Sequence, residues 1–266
     1  MPVSRLTGKV ALVLGAAGKD NLGQVIARTF MREGARVMVA GRGREPLEEF
    51  AGEIGCDYAL CDITDQQQIA ALAAATKARL GRIDIAVQAT GWGLIKSFLD
   101  TSDEDLDRIM ALQFKGPFQF FQAMVSAMEE GGSIINISSA TATIMLDDHA
   151  AYMGTKAGID HVLRCVANEF GARGIRANSI SPGLMVTPMT QHAAATPGVV
   201  EAFEKEYPLG RIGTAEDIAE AAVWLASDAC FMTGENLQVN GGLTLRRNPT
   251  RKEITEYATR FAASAA

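Results

Sequence analysis

The chain has 266 residues, 48% of them hydrophobic and 21% charged, and a formal net charge of −6. That length and balance suit one α/β domain with a well-buried core. Lys and Arg are scattered, which argues against a nucleic-acid or anionic-membrane surface, and no apolar run is long enough to span a bilayer. Residues 1–8 lack the apolar core of a signal peptide, so a cytoplasmic location is expected. Cys56, Cys61, Cys165 and Cys230 have no metal-like spacing and are expected to stay reduced. With three scattered histidines, no metal site is expected.

In chain order, Val10-Ala11-Leu12-Val13-Leu14 reads as a strand buried on both faces. A glycine-bearing turn, Gly15 to Gly23, follows it. Helical spacing then runs through Val25, Ile26 and Phe30. Strand, glycine turn and helix together let backbone N–H groups and a helix N-terminus face a pyrophosphate, although a ligand-free turn has the same pattern. Arg36 to Ala40 is a second strand, ending at Gly41-Arg42. In dinucleotide folds this strand end faces the adenosine ribose, and an acidic residue there selects NAD. Gly41 followed by the Arg42 guanidinium instead favours NADP, with NAD still possible; Lys19 in the glycine turn could add a second positive charge. Both cations could equally be solvated surface groups.

Tyr58 to Leu60 is a third strand, and Asp62 at its end is placed to accept from an adenine amino group or to serve as a turn aspartate. Thr64 or Asp65 opens a helix to about Leu80. Asp84 to Val87 is a fourth strand, followed by Gln88-Ala89-Thr90-Gly91 at the edge where open α/β sheets bind ligands. One long helix is predicted from about Ser102 to Met128, with an apolar stripe that includes Leu106, Met110, Phe118, Phe121 and Met124. Gly132 to Ser139 is a fifth strand reaching the same edge. Tyr152 and Lys156 share one face of the next helix, since residues four apart are neighbours. An ammonium beside a phenol lowers its pKa and readies it for proton exchange, and the Ser139 hydroxyl could hold the same oxygen. A surface tyrosine above a solvated lysine is the plain alternative. Ile175 to Ile180 is a sixth strand. The segment 184–213, with Pro188, Pro197 and Pro208, reads as a substrate loop or lid. A helix over Ala215 to Ser227, a short strand over Leu237 to Val239 and a tail over 245–266 with a helix near Lys252 to Ala262 complete the chain.

These residues resemble the short-chain dehydrogenase/reductase family, and 3-oxoacyl-carrier-protein-reductase-like members of it, up to about Thr244. The matches are the glycine turn, Cys61-Asp62-Ile63, Asn136-Ile137-Ser138-Ser139, Tyr152-x-x-x-Lys156, Asn178-x-Ile180-x-Pro182-Gly183 and Val239-Asn240-Gly241-Gly242. The resemblance implies a single Rossmann-type domain: a doubly wound parallel sheet of about seven strands in three α/β/α layers, assembled as a homotetramer or homodimer. It implies Tyr152 as acid or base, Lys156 on the nicotinamide ribose, and Ser139 on the substrate oxygen. It also implies cofactor contacts at Gly15, Ala17, Asn21, Leu22, Gly23, Asp62, Ile63, Ala89, Thr90, Gly91, Pro182, Gly183, Met185 and Thr187.

Three departures stand out. The glycine turn is two residues longer than the family's usual form and looks like that of the enoyl-reductase branch. That branch places a tyrosine where this chain has His149, so enoyl reduction is disfavoured. Gln88-Ala89-Thr90-Gly91 replaces Asn-Asn-Ala-Gly. The asparagine that commonly completes a proton relay in the family is Gln113 here; it can serve if the relay needs mainly a backbone carbonyl and a water, and turnover suffers if the relay needs the shorter side chain. Trp92, Leu94, Ile144, Met145, Leu146, Met153, Met185 and Met189, with His149 nearby, predict a pocket for a bulky apolar ketone or secondary alcohol. A cofactor-binding regulator without catalysis, or an oligomeric scaffold, remains the alternative.

Overall fold

In the computed structural model, which describes residues 4–188 and 190–264, the apolar runs form seven parallel strands. They are β1 (Val10–Leu14), β2 (Arg36–Gly41), β3 (Asp57–Leu60), β4 (Ile85–Gln88), β5 (Gly132–Ile137), β6 (Ile175–Pro182) and β7 (Asn236–Val239). Their order across the sheet is β3-β2-β1-β4-β5-β6-β7. The chain therefore reverses its direction of growth between β1 and β4, and leaves a crevice at their C-terminal ends.

The central strand β1 and most of β2, β4 and β5 are apolar because both faces are covered, whereas β3, β6 and β7 carry polar residues. Ala11 and Val13 of β1 point to one side, where they meet Ile26 and Phe30 of α1 (Leu22–Arg32), Phe50 of α2 (Arg44–Ile54) and Ile218 of α9 (Ala215–Ala226). Leu12 and Leu14 point to the other, against Leu72 of α3 (Gln66–Leu80), Phe121 of α5 (Gly116–Ala127) and Leu163 of α6 (Ala150–Phe170). This is the three-layer, doubly wound architecture that the strand–helix alternation predicts. Local chemistry starts the helices: Asp65 accepts from the backbone N–H groups of Gln67 and Gln68 to open α3. Thr214 and Asp217 form a capping box at α9.

The long helix expected from Ser102 to Met128 forms, with one π-helical turn inside it. It is α4 (Asp103–Met110), a π-helical turn over Ala111–Lys115, and then α5. Gly116 and Pro117 follow the π turn directly: Pro117 has no N–H to donate, and a Cβ on Gly116 would sit 2.5 Å from the Ile63 carbonyl oxygen. Of the apolar stripe, Ile109, Phe121 and Met124 are buried, whereas Leu106, Met110 and Phe118 remain exposed.

The 184–213 segment is partly helical. It carries α7 (Gln191–Ala194) and α8 (Val199–Glu204), and Met185 bridges to Gly213 at its base. Val199, Phe203 and Tyr207 pack with Ala140 and Leu243 in a small third cluster. The tail helix α10 (Arg251–Ser264) lies on α8 so closely that a Cβ on Gly198 would fall 2.5 Å from the Tyr257 carbonyl oxygen. Among the described residues no helix is long and apolar enough to cross a membrane.

Candidate active site

A cleft of about 950 Å3 runs along the C-terminal edge of the sheet. Its first end is made by the turn after β1. Gly15 there has φ +111°, and a Cβ on it would lie 2.6 Å from the Ala89 carbonyl carbon. A Cβ on Gly23 would lie 2.6 Å from the Gly15 carbonyl oxygen. Only glycine lets the turn and the first residues of α1 come this close. Asn21 locks the turn: its Nδ2 donates to the Gly15 carbonyl at 2.9 Å and its Oδ1 accepts the Gln24 N–H at 3.0 Å. With both ends tied, the two extra residues are pushed outwards. Lys19 is exposed and its side chain does not line the cleft. Gly15, Ala17, Asn21, Leu22 and Gly23 do line it.

At the end of β2, a Cβ on Gly41 would lie 2.6 Å from the Ala17 Cβ, so no acidic side chain fits without rearrangement. Arg42 follows on the rim, its side chain largely exposed, with one guanidinium nitrogen 3.9 Å from Asp62. The other Asp62 oxygen accepts from the Thr64 N–H and hydroxyl at 2.9 and 2.8 Å. Asp62, Ile63, Ala89, Thr90 and Gly91 continue the wall. The closely approached glycines, the helix N-terminus aimed into the cleft and the rim cation fit a dinucleotide.

The second end holds the polar side chains. Tyr152 and Lys156 project from one face of α6, with the Lys156 Nζ 5.7 Å from the Tyr152 ring centroid. Lys156 is buried and donates to the Ile137 carbonyl oxygen at 2.7 Å. Burial pulls its ammonium down to a pKa of about 8, against the opposing charge of Asp160. The phenol departs from expectation: burial raises the Tyr152 pKa, and a hydrogen bond with Ser139 only partly opposes this. The Ser139 hydroxyl also shares a 2.9 Å hydrogen bond with that of Thr141. Pro182, Gly183, Met185 and Thr187 close this end from β6, and the Tyr207 hydroxyl packs against Gly183 and accepts the Leu184 N–H at 2.6 Å.

Several expected site residues stand elsewhere. Gln113 is buried in the π-helical turn and does not line the cleft. Its Oε1 accepts the Trp92 N–H at 2.8 Å and its Nε2 donates to the Thr155 hydroxyl at 3.0 Å. One N–H and one oxygen lone pair of the longer amide thus brace the loop after β4 against α6. The Trp92 ring is turned away from the cleft and stacks under Arg108 at 4.1 Å. Met145 is 67% exposed and lines a separate shallow hollow with Arg246 and Arg247. Met189 lies outside the described residues. Of the expected apolar lining only Leu146 and Met185 face the cleft among them. His149 does line it; its Nδ1 is 2.7 Å from the Asp147 carbonyl oxygen and its ring meets Tyr152 edge-on at 6.2 Å.

Residues not foreseen complete the outer wall. Asp147, Asp148, Asn248, Arg251 and Thr255 supply polar groups, and Val199, Phe203, Leu243 and Ile254 supply apolar ones. The tail is joined to the loop before α6 by three contacts. Asn248 donates to the Met145 carbonyl at 3.0 Å, the Arg251 N–H donates to Asp147 at 2.9 Å, and the Arg251 guanidinium pairs with Asp148 at 2.8 Å. The Asp147-Asp148 pair and the nearby basic tail were a visible charge signal. Which carboxylate meets which cation depends on the fold.

A family model described as enoyl-(acyl carrier protein) reductase matches residues 15–244. The chain is 38% identical over 250 residues to D-threitol dehydrogenase of Mycolicibacterium smegmatis, covering 91% of this chain and 95% of the relative. Among solved structures, a short-chain type dehydrogenase/reductase from Mycobacterium ulcerans superposes with a TM-score of 0.88 at 30% identity, covering 91% of this chain and 92% of that one. A gluconate 5-dehydrogenase from Burkholderia cenocepacia, solved with NADP and tartrate, superposes with a TM-score of 0.86 at 27% identity, covering 91% and 98%.

Proposed function

Because the chain belongs to the short-chain dehydrogenase/reductase family, we propose that it is a nicotinamide-dependent oxidoreductase that interconverts a secondary alcohol and a carbonyl compound. One observation carries this reading: Ser139, Tyr152 and Lys156 share a single cleft with the glycine turn. A bound nicotinamide would supply or receive the hydride. The chain's own groups manage position and proton. The Ser139 hydroxyl holds the substrate oxygen. Tyr152, whose phenol is held towards its protonated form by burial, gives that oxygen its proton in the reducing direction and recovers it in the oxidising one. The Lys156 ammonium supplies positive charge beneath the phenol. The identity of the similar D-threitol dehydrogenase supports alcohol chemistry, and His149 at the second tyrosine position of the enoyl-reductase branch favours it over enoyl reduction.

We favour NADP(H) over NAD(H), since Gly41 leaves no room for an acidic ribose ligand and Arg42 stands beside it. We also expect a homodimer or homotetramer, in keeping with the exposed Leu106, Met110 and Phe118. The deciding experiment follows nicotinamide absorbance with a panel of secondary alcohols and ketones, apolar and polyhydroxylated. Turnover of at least one pair is expected. Tight cofactor binding with no turnover of any of them would instead mark a cofactor-binding regulator.

A further inference from the structure

Asp160 continues the helical stripe of Tyr152 and Lys156, four residues further along α6. Its two carboxylate oxygens collect four side-chain donors. Ser138 and Asn236 donate to one oxygen, each at 2.6 Å. Ser179 donates to the other at 2.6 Å, and Asn136 reaches the same oxygen at 3.4 Å. The donors come from three neighbouring strands, β5 with the residue just after it, β6 and β7. Asn136, Ser179 and Asn236 occupy one register row across β5, β6 and β7. Ser138 follows Asn136 on the same face by the two-residue period of a strand. The Ile137 carbonyl, one residue before Ser138, accepts the Lys156 Nζ at 2.7 Å. Ammonium and carboxylate are thus anchored to adjacent residues of one strand end.

We propose that Asp160 is a positioning residue for the reaction: its negative charge, fixed by strand donors, keeps the buried Lys156 ammonium charged and in place beneath Tyr152. This rests on the function proposed above. A buried ammonium whose hydrogen-bond partner is a neutral carbonyl does not hold its charge well. Burial does pull Lys156 down, and the charge acting against that loss is Asp160. Burial in turn raises the Asp160 carboxyl, while the Ser138 and Ser179 hydrogen bonds and the Lys156 charge pull it back. The strand side of Asp160 offers hydroxyls and amides but no cation. The other charged groups near this face point elsewhere. His161 and Arg164 of α6, Lys115 of the π-helical turn and Glu235 before β7 are exposed, and Arg108 of α4 stacks on Trp92.

Asp160→Asn keeps the shape and removes the charge. Two measurements test it in the full-length protein. Nitrogen-15 NMR of the lysine side chains, with the Lys156 signal identified by its loss in Lys156→Arg, gives the midpoint of the ammonium without any turnover. The pH profile of kcat/KM gives its effect on reaction. In Asp160→Asn the Lys156 midpoint is expected to fall by about one pH unit from about 8, and activity at pH 8 to drop about fivefold more than activity at pH 6. An unchanged midpoint would overturn the proposal, as would a uniform loss at every pH, which is what a purely structural role produces. Should Asp160→Asn not fold, Asp160→Ser, which still accepts hydrogen bonds, is read in the same way. A wild-type protein that turns over no substrate would sink the proposed function, yet the NMR midpoint would still decide on Asp160.

Discussion

Gln113 Nε2 donates to the Thr155 hydroxyl at 3.0 Å, and Thr155 in turn donates to the Tyr152 carbonyl at 2.8 Å. Because Gln113 Oε1 also takes the Trp92 N–H, one side chain ties the loop after β4 to the first turns of α6. Gln113→Ala leaves the partly buried Trp92 N–H without its acceptor and takes one donor from the buried Thr155 hydroxyl, which keeps its bond to the Tyr152 carbonyl. That is expected to cost about 1–3 kcal/mol of stability and to lower turnover. Gln113→Asn, too short to span both, should fall between. Thermal unfolding with steady-state kinetics checks this; unaltered stability in both variants would contradict the bracing role.

Tyr152→Phe removes the only proton the proposed mechanism transfers from the protein. Turnover should fall by roughly 10²–10⁴ while cofactor affinity stays near that of the wild type. Stopped-flow and cofactor titration measure the two separately. A variant that keeps full activity would refute the assignment.

Arg42→Ala should weaken NADP(H) about tenfold or more and leave NAD(H) nearly unchanged, because a guanidinium–phosphate hydrogen bond is worth about 1.5–3 kcal/mol. Fluorescence titration with each cofactor reads the ratio. Equal losses for both would remove the basis for NADP preference.

Lys156 carries a pH signature in stability. Its pKa is lowered by burial from 10.5 to about 8, so between those values the unfolded chain binds more protons than the folded one. Stability contributed by this group therefore rises with pH across about 8 to 10.5, and the penalty for burying the ammonium is fully present below about 8. Lys156→Met is expected to be inactive. Its unfolding temperature relative to the wild type should fall steadily as pH rises through that window. Parallel curves for the two proteins would show that burial does not perturb this lysine.

Gly198→Ala tests the seat of the tail. Gly198 has φ +85°, and its Cβ would overlap the backbone of α10 at Tyr257. The left-handed backbone alone costs an ordinary residue roughly 1–2 kcal/mol. The tail should loosen from α8, seen as faster amide exchange across residues 251–264. Unchanged exchange there would mean that α10 does not depend on this contact.

Much of the frame was legible from local pattern. Apolar runs of five or six residues read as strands because both sheet faces are covered, and Asp65 marked a helix start through its cap. The long helix was read in its extent but not in its π turn, because apolar spacing does not distinguish an α turn from a π turn. Gly116-Pro117 follows that turn directly, and Gly116 packs against the Ile63 carbonyl from a distant loop. The phenol's pKa was misjudged for a related reason: charge proximity is visible in an i,i+4 spacing, but desolvation is not.

The sequence by itself determined the alternation of strands and helices, the glycine turn and the Tyr152–Lys156 pairing, since each rests on residues within one turn or one strand of each other. Only the tertiary structure decided what surrounds them. It gathered Asn136, Ser138, Ser179 and Asn236 around Asp160, brought Arg251 to Asp148, and turned Lys19 and Trp92 away from the cleft. Those outcomes depend on how strands far apart in the chain pair in register and on which side chains lose water when they do, and neither is encoded in any short window of residues.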